Sequence, residues 1–249
     1  MLSQSDVNKC FSITFENDFA ILRMNYGENR FNKCSCNAIL NCLDSVLRNP
    51  KAKALIAIGN TKYFSNGLDL EWMSKAPSED VLGAIQLYQE ILHRISHFPM
   101  PTVAAVNGHA FAGGALLAFA FDYRVMRRDR GWLCLPEIDL KLRFQPFMIQ
   151  LAKLRLRSNK SIREVILFGK RLTGPQCLEA DIVDAITEVD DLLPASKIIA
   201  EKCIGGRTLD RDMVRVMKED IYADMQSKTQ GASNDEGRIK ELQSKHSKL

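Results

Sequence analysis

The chain has 249 residues, 46% hydrophobic and 26% charged, with a formal net charge of +4. That fits one globular unit with at most a small appendage, and the mild, dispersed basicity excludes a strongly electrostatic nucleic-acid binder. The opening Met1 to Asn8 is polar, unlike a signal peptide, and no apolar run approaches the ~18–20 residues of a membrane span.

The first elements read as a β-hairpin. Phe11, Ile13 and Phe15 alternate with polar residues, Asn17-Asp18 turns, and Ala20 to Met24 continues as an apolar strand. Ile39, Leu40, Leu43, Val46 and Leu47 form a helical stripe within Asn37 to Leu47. Ala54 to Ile58 is a short apolar strand, followed by the turn-rich segment Phe64 to Leu70. A long amphipathic helix is capped by Ser78-Glu79-Asp80 and runs to about His97, with Val81, Ile85, Tyr88, Ile91, Leu92 and Ile95 inward. Pro99 and Pro101 stop it.

The central unit follows. Thr102 to Val106 is a buried strand, Asn107-Gly108 a tight turn, and Ala112-Gly113-Gly114 opens the run Ala115 to Phe121, which has no polar side chain. A helix that starts among glycines presents backbone N–H groups without internal partners, and the helix dipole favours negative charge there. About twenty residues on, Glu137 follows Pro136 and the apolar segment Trp132 to Leu135. A donor-rich helix start and an isolated acid in apolar surroundings are the two parts that enolate chemistry needs.

Tyr123 to Met126 and Ile182 to Ile186 read as further strands. Pro146 to Leu156, Ser161 to Phe168, Thr173 to Ala180, Leu192 to Ile204, Leu209 to Met225 and Glu236 to Lys245 read as helices. Strands alternating with helices imply an α/β architecture with right-handed crossovers. Seven cysteines, an odd number without scaffold spacing, read as reduced thiols, and Cys34-Ser35-Cys36 lacks the second pair that a metal site needs. His93 and His97 stand at i and i+4 without an evident third ligand.

Two stretches carry a family resemblance. VNGHAFAGGALLAFAFDYRVM resembles the signature of the enoyl-CoA hydratase/isomerase (crotonase) superfamily, and Tyr63-Phe64-Ser65-Asn66-Gly67-Leu68-Asp69-Leu70 resembles its other hallmark turn. Two motifs in the right order are far more specific than one glycine-rich loop. The resemblance covers roughly Phe11 to Ala185. It implies a ββα spiral core over residues 1–190, then a helical region over 191–249 that takes part in packing a homotrimer, or a trimer paired into a hexamer.

It also implies roles. The N–H groups of Leu68 and Gly113 would hold a thioester oxygen, and Glu137 would be the base. Lys62, Asn66, Gly67, Asp69, Gly114 and Leu116 fall at positions implied to meet the substrate. Taken alone, Asp69 reads as a residue fixing its own turn, Lys62 equally as a solvated lysine, and His109 as a group satisfying local backbone. Trp72, Met73, Phe144 and Phe147 read as acyl-pocket walls or as ordinary core.

Leu116 is an informative departure, since the family's hydratases carry a glutamate there. Adding water calls for two carboxylates, whereas one suffices to carry a proton between carbons. Leu140-Lys141-Leu142-Arg143-Phe144 also replaces the glycine-rich run of the hydratases. The expectation is therefore a Δ3,Δ2-enoyl-CoA isomerase acting on an acyl-CoA, with no metal or redox cofactor. A hydratase, lyase or hydrolase of the same fold, or an acyl-CoA binding subunit with a decayed site, are the alternatives. Ser247-Lys248-Leu249 matches the tripeptide address read by the peroxisomal import receptor, giving an expected location in the peroxisomal matrix.

Overall fold

The computed structural model describes residues 4–60 and 62–223. The chain opens with α1 (Gln4–Cys10), β1 (Phe11–Glu16), β2 (Phe19–Met24), α2 (Lys33–Arg48), β3 (Ala54–Ile58) and β4 (Tyr63–Ser65). It continues with α3 (Leu70–Lys75), α4 (Ser78–Ser96), β5 (Thr102–Val106), β6 (His109–Phe111) and α5 (Gly113–Ala120). Then come β7 (Tyr123–Arg127), β8 (Leu133–Cys134), a 3-10 turn (Pro136–Ile138), α6 (Pro146–Arg155) and α7 (Asn159–Ser161), which leads into a π-helical stretch (Ile162–Leu167). The last elements are α8 (Gly174–Glu179), β9 (Ala185–Thr187), α9 (Leu192–Ile204) and α10 (Arg211–Ile221).

Six strands form one sheet in the order β1-β2-β3-β5-β7-β9, and three form a second in the order β4-β6-β8. The β1–β2 hairpin is antiparallel and every other pairing is parallel. The large sheet is buried on both faces, which explains why ALIAI and TVAAV are continuous apolar runs rather than alternating ones. Leu22, Leu55, Ala57, Ala104 and Val106 belong to a core shared with residues of α2, α4, α5 and α6. Their alternates Ile21, Ile56, Val103, Ala105 and Val125 pack with Leu192, Ala200 and Ile204 of α9 on the other face. The period of two along a strand produces this division.

The small sheet positions the site. Strands β3 and β5 each leave the large sheet and, after a short corner, re-enter the small one as β4 and β6. At those corners Asn107 Oδ1 accepts from Gly59 N at 2.8 Å, and His109 N donates to Lys62 O at 3.0 Å. The two motifs are thereby brought side by side, because each follows one corner.

Several expectations are corrected. Helix α2 starts at Lys33, four residues before the periodic stripe, because Asn32 and Ser35 form a capping box that nucleates it. Helix α4 has Pro77 as its N-cap with no side-chain cap; Glu79 and Asp80 instead place negative charge in its first turn. Strands β4, β6 and β8 and helices α1 and α3 were not foreseen, being too short to show a period. The segment read as a helix over Ser161 to Phe168 is a short α turn running into π geometry. The expected helix over Glu236 to Lys245 and the Ser247-Lys248-Leu249 tripeptide lie outside the described residues.

Candidate active site

The Gly67-Leu68 turn is shaped by backbone contact. Gly67 sits at φ +77°, and a Cβ there would fall 2.8 Å from Gly113 N and 2.9 Å from Phe111 O. Only glycine tolerates both the conformation and the proximity. The extended segment around Phe31 grips this turn: Phe31 N donates to Gly67 O at 2.8 Å, and Asp69 N donates to Phe31 O at 2.9 Å. Leu68 lies between these bonds, and its own N–H has no protein acceptor among the described residues.

The Gly113 donor is set up by a strained residue. Ala112, the N-cap of α5, has φ 49° and ψ −119°, a region costly for any residue with a Cβ. Such geometry costs on the order of 1–3 kcal/mol. Hydrogen bonds hold it: Ala112 N donates to Cys134 O at 2.9 Å, and Ala112 O accepts from Ala115 N at 3.0 Å and Leu116 N at 3.1 Å. The Gly113 N–H that this peptide carries is likewise without a protein acceptor among the described residues. Two backbone donors, one from each motif, thus stand beside one another at the start of a fully buried helix.

Glu137 lies in the 3-10 turn after β8, with Pro136 as its first residue. The turn is fixed through its backbone, with Leu140 N donating to Pro136 O at 3.1 Å and Leu142 N to Glu137 O at 2.9 Å. The side chain is buried, and Oε2 has no hydrogen-bond partner. Desolvation pushes its carboxyl from the ordinary 4.5 up to about 7. A carboxylate desolvated by burial holds a proton more tightly than a solvated one and is the stronger base.

Leu68, Gly113, Leu116 and Glu137 line one cavity of about 350 Å³, within the range of small-molecule sites. Its wall is mainly apolar, with Leu70, Ile85, Leu140, Leu142, Phe144 and Met148. Glu137 is its one carboxylate among the described residues, while Arg30, Lys141 and Arg143 give it positive charge.

Of the other positions expected to meet substrate, Asn66 and Leu116 line the cavity, whereas Lys62, Gly67, Asp69 and Gly114 do not. Asn66 lines the cavity and donates through Nδ2 to Glu28 Oε2 at 2.7 Å, where Arg30 also pairs. Gly114 is a contact point, since a Cβ there would meet Ser65 O at 2.0 Å. Asp69 is the N-cap of α3, accepting from Trp72 N at 3.1 Å and from Asn32 Nδ2 at 3.0 Å. Lys62 is exposed, outside the cavity lining, with its ammonium 5.1 Å from the Tyr63 ring centre. Phe144 lines the cavity; Met73 and Trp72 pack with Val81 and Ile85, and Phe147 is core.

The other titratable candidates of the described residues lie outside the cavity lining. Asp139 is exposed, Glu71 is exposed and paired with Lys75, and His109 sits outside the lining among Tyr63, Phe111 and Trp132. His93 and His97 stack on each other at 4.3 Å, and no metal-holding cluster occurs among the described residues. The cysteines of the described residues are all free thiols. The cavity positions of Arg30, Tyr88, Lys141 and Arg143 were missed, whereas Phe144 was expected as a wall. Tyr88 carried the one usable signal, a phenol on the inner face of α4 that needs a buried acceptor.

Two backbone donors and one desolvated carboxylate lining the same cavity define a class of site, one with the parts to hold an oxyanion while a proton is moved. The family model described as enoyl-CoA hydratase/isomerase matches residues 15–248. The chain is 30% identical over 209 residues to enoyl-CoA delta isomerase 2, peroxisomal, of Arabidopsis thaliana, covering 80% of this chain and 86% of that one. It is 34% identical over 161 residues to enoyl-CoA delta isomerase 1, peroxisomal, of the same plant, covering 64% and 67%. Among solved structures, a probable enoyl-CoA hydratase from Mycobacterium tuberculosis shares the fold with TM-score 0.83 at 23% identity, covering 94% of this chain and 98% of that one. The chain belongs to the enoyl-CoA hydratase/isomerase family, and its fold is the crotonase fold.

Proposed function

We propose that the protein is a Δ3,Δ2-enoyl-CoA isomerase, moving the double bond of a 3-enoyl-CoA to give the 2-trans-enoyl-CoA that fatty-acid β-oxidation can use. Glu137 takes a proton from C2. The electron pair delocalises into a dienolate whose oxygen rests against the Leu68 and Gly113 N–H groups. The proton on Glu137 then returns to C4, and the double bond lies between C2 and C3. Each step conserves atoms and charge, and the reading uses no metal or redox cofactor because CoA is part of the substrate. Each such donor is worth roughly 10²–10³ in rate in comparable sites.

The observation that carries this reading is the single carboxylate. Leu116, buried at the start of α5, lines the cavity where hydration would want a second acid. A desolvated Glu137 titrating near 7 suits proton removal at neutral pH. Parallel assays on 3-hexenoyl-CoA and 2-hexenoyl-CoA test it. Turnover of the first without hydration of the second is expected; hydration of the second at comparable rate would replace the reading with a hydratase.

Location and assembly belong to the same proposal. The matrix of the peroxisome fits a chain related to two isomerases named as peroxisomal. Tagged protein is expected in peroxisomes, and cytosolic after removal of Ser247-Lys248-Leu249. A homotrimer, or a pair of trimers, fits the apolar side chains that α10 leaves exposed, Met213, Met217 and Ile221.

A further inference from the structure

The two donors come from separate motifs, yet they must stay within a fraction of an ångström of one geometry to hold one oxygen. A pair of aromatic residues outside both motifs spans them. Phe31, from the segment before α2, is fully buried, and its backbone brackets Leu68 through the bonds to Gly67 O and from Asp69 N. Its ring stacks on Tyr88 of α4, with centroids 4.9 Å apart and planes 24° from parallel. Tyr88 is itself fully buried, and its hydroxyl donates to the carbonyl of Gly113. A Cβ on Gly113 would lie 3.1 Å from that hydroxyl oxygen, 3.3 Å from Tyr88 Cζ and 3.2 Å from Gly67 Cα. One ring therefore belongs to the residue that grips the Leu68 turn, and the other to the residue that grips Gly113.

We propose that Phe31 and Tyr88 are positioning residues that act as a unit, fixing the spacing and direction of the Leu68 and Gly113 N–H donors. The inference rests on the oxyanion-holding reading of the cavity. Tyr88 lines that cavity, but its proton is committed to Gly113 O. Burial raises its pKa well above the usual 10.0, so it does not exchange protons with substrate near neutrality. Its contribution is geometric. The hydroxyl ties down the first turn of α5 at the Gly113 carbonyl, and the stack transmits the position of one motif to the other.

The test uses Tyr88→Phe in the full-length protein, which removes the hydroxyl and keeps the ring, together with Phe31→Leu, which keeps the backbone bonds and loses the stack. The probe is 2,4-hexadienoyl-CoA, a conjugated thioester whose absorbance moves to the red when its carbonyl is polarised by hydrogen bonds. In Tyr88→Phe the red shift on binding should shrink markedly, with the dissociation constant within about threefold of the parent. The kcat on 3-hexenoyl-CoA should fall about 10- to 100-fold, below the loss of a whole donor, with KM and the midpoint of the pH profile unchanged. Phe31→Leu should move the same readings in the same direction. An unaltered red shift and kcat in either folded variant would overturn the proposal, and so would a displaced pH midpoint, which would make Tyr88 a proton carrier. Should the parent protein fail to turn over 3-hexenoyl-CoA, the isomerase reading falls while the spectral shift still decides the positioning role.

Discussion

Under the proposed mechanism, Glu137, with one oxygen buried and unpartnered, makes the pH dependence of turnover a property of one residue. As a base it works ionised, so kcat/KM is expected to rise with pH through a midpoint near 7 and level off above it. Stability should run the other way. The folded carboxyl binds its proton more tightly than the unfolded one, so the native state holds more protons between pH 4.5 and about 7. Its favourable contribution is complete below 4.5 and is lost as pH rises through 7. Glu137→Gln should therefore raise the melting temperature at pH 8 and leave it nearly unchanged at pH 4.5, a difference of up to about 3 kcal/mol from the size of the shift. Thermal unfolding at the two pH values checks this, and equal effects at both would show that the carboxyl is solvated. The buried place of Glu137 in the cavity was legible from the sequence once two motifs framed it, and Asp69 as a residue fixing its own turn was legible from its type. The pairing of Phe31 with Tyr88 was not, because it is a contact between residues far apart in the chain; Tyr88 showed in the sequence only as an inward residue of its helix.

At the scale of elements, two glycines make opposite predictions. Gly114 in α5 lies where a Cβ would run into Ser65 O at 2.0 Å, so Gly114→Ala must push the helix start off β4. A loss of roughly 3 kcal/mol or more is expected, in the range of severe overpacking. Gly83 in α4 has nothing within 4 Å of its Cβ position, and Gly83→Ala should stabilise by about 0.5–1 kcal/mol through helix propensity alone. Chemical denaturation of both variants checks the pair. Elements with a strong period or a both-face apolar run, such as α4, β3 and β5, could be read from the chain. The three short strands of the small sheet could not, since their stability comes from pairing across the corners rather than from any local pattern. The π geometry over Ile162–Leu167 left no mark on the helical periodicity either.

For the whole molecule, α10 is strongly amphipathic but has no buried residue of its own. It is tied to the core by polar contacts, with Lys218 Nζ 2.6 Å from Asp122 Oδ2 and Arg211 Nη2 2.6 Å from Ala52 O. Light scattering at micromolar concentration is expected to give three or six times the 28.1 kDa of one chain; a mass of one chain would contradict the assembly. The central claim is that one carboxylate carries the proton from C2 to C4. Measuring turnover of 3-hexenoyl-CoA by Glu137→Gln tests it most directly. General base catalysis alone is worth ~10²–10⁴, so the account predicts a fall of at least that size with acyl-CoA still bound. Near-native turnover by this variant would contradict it.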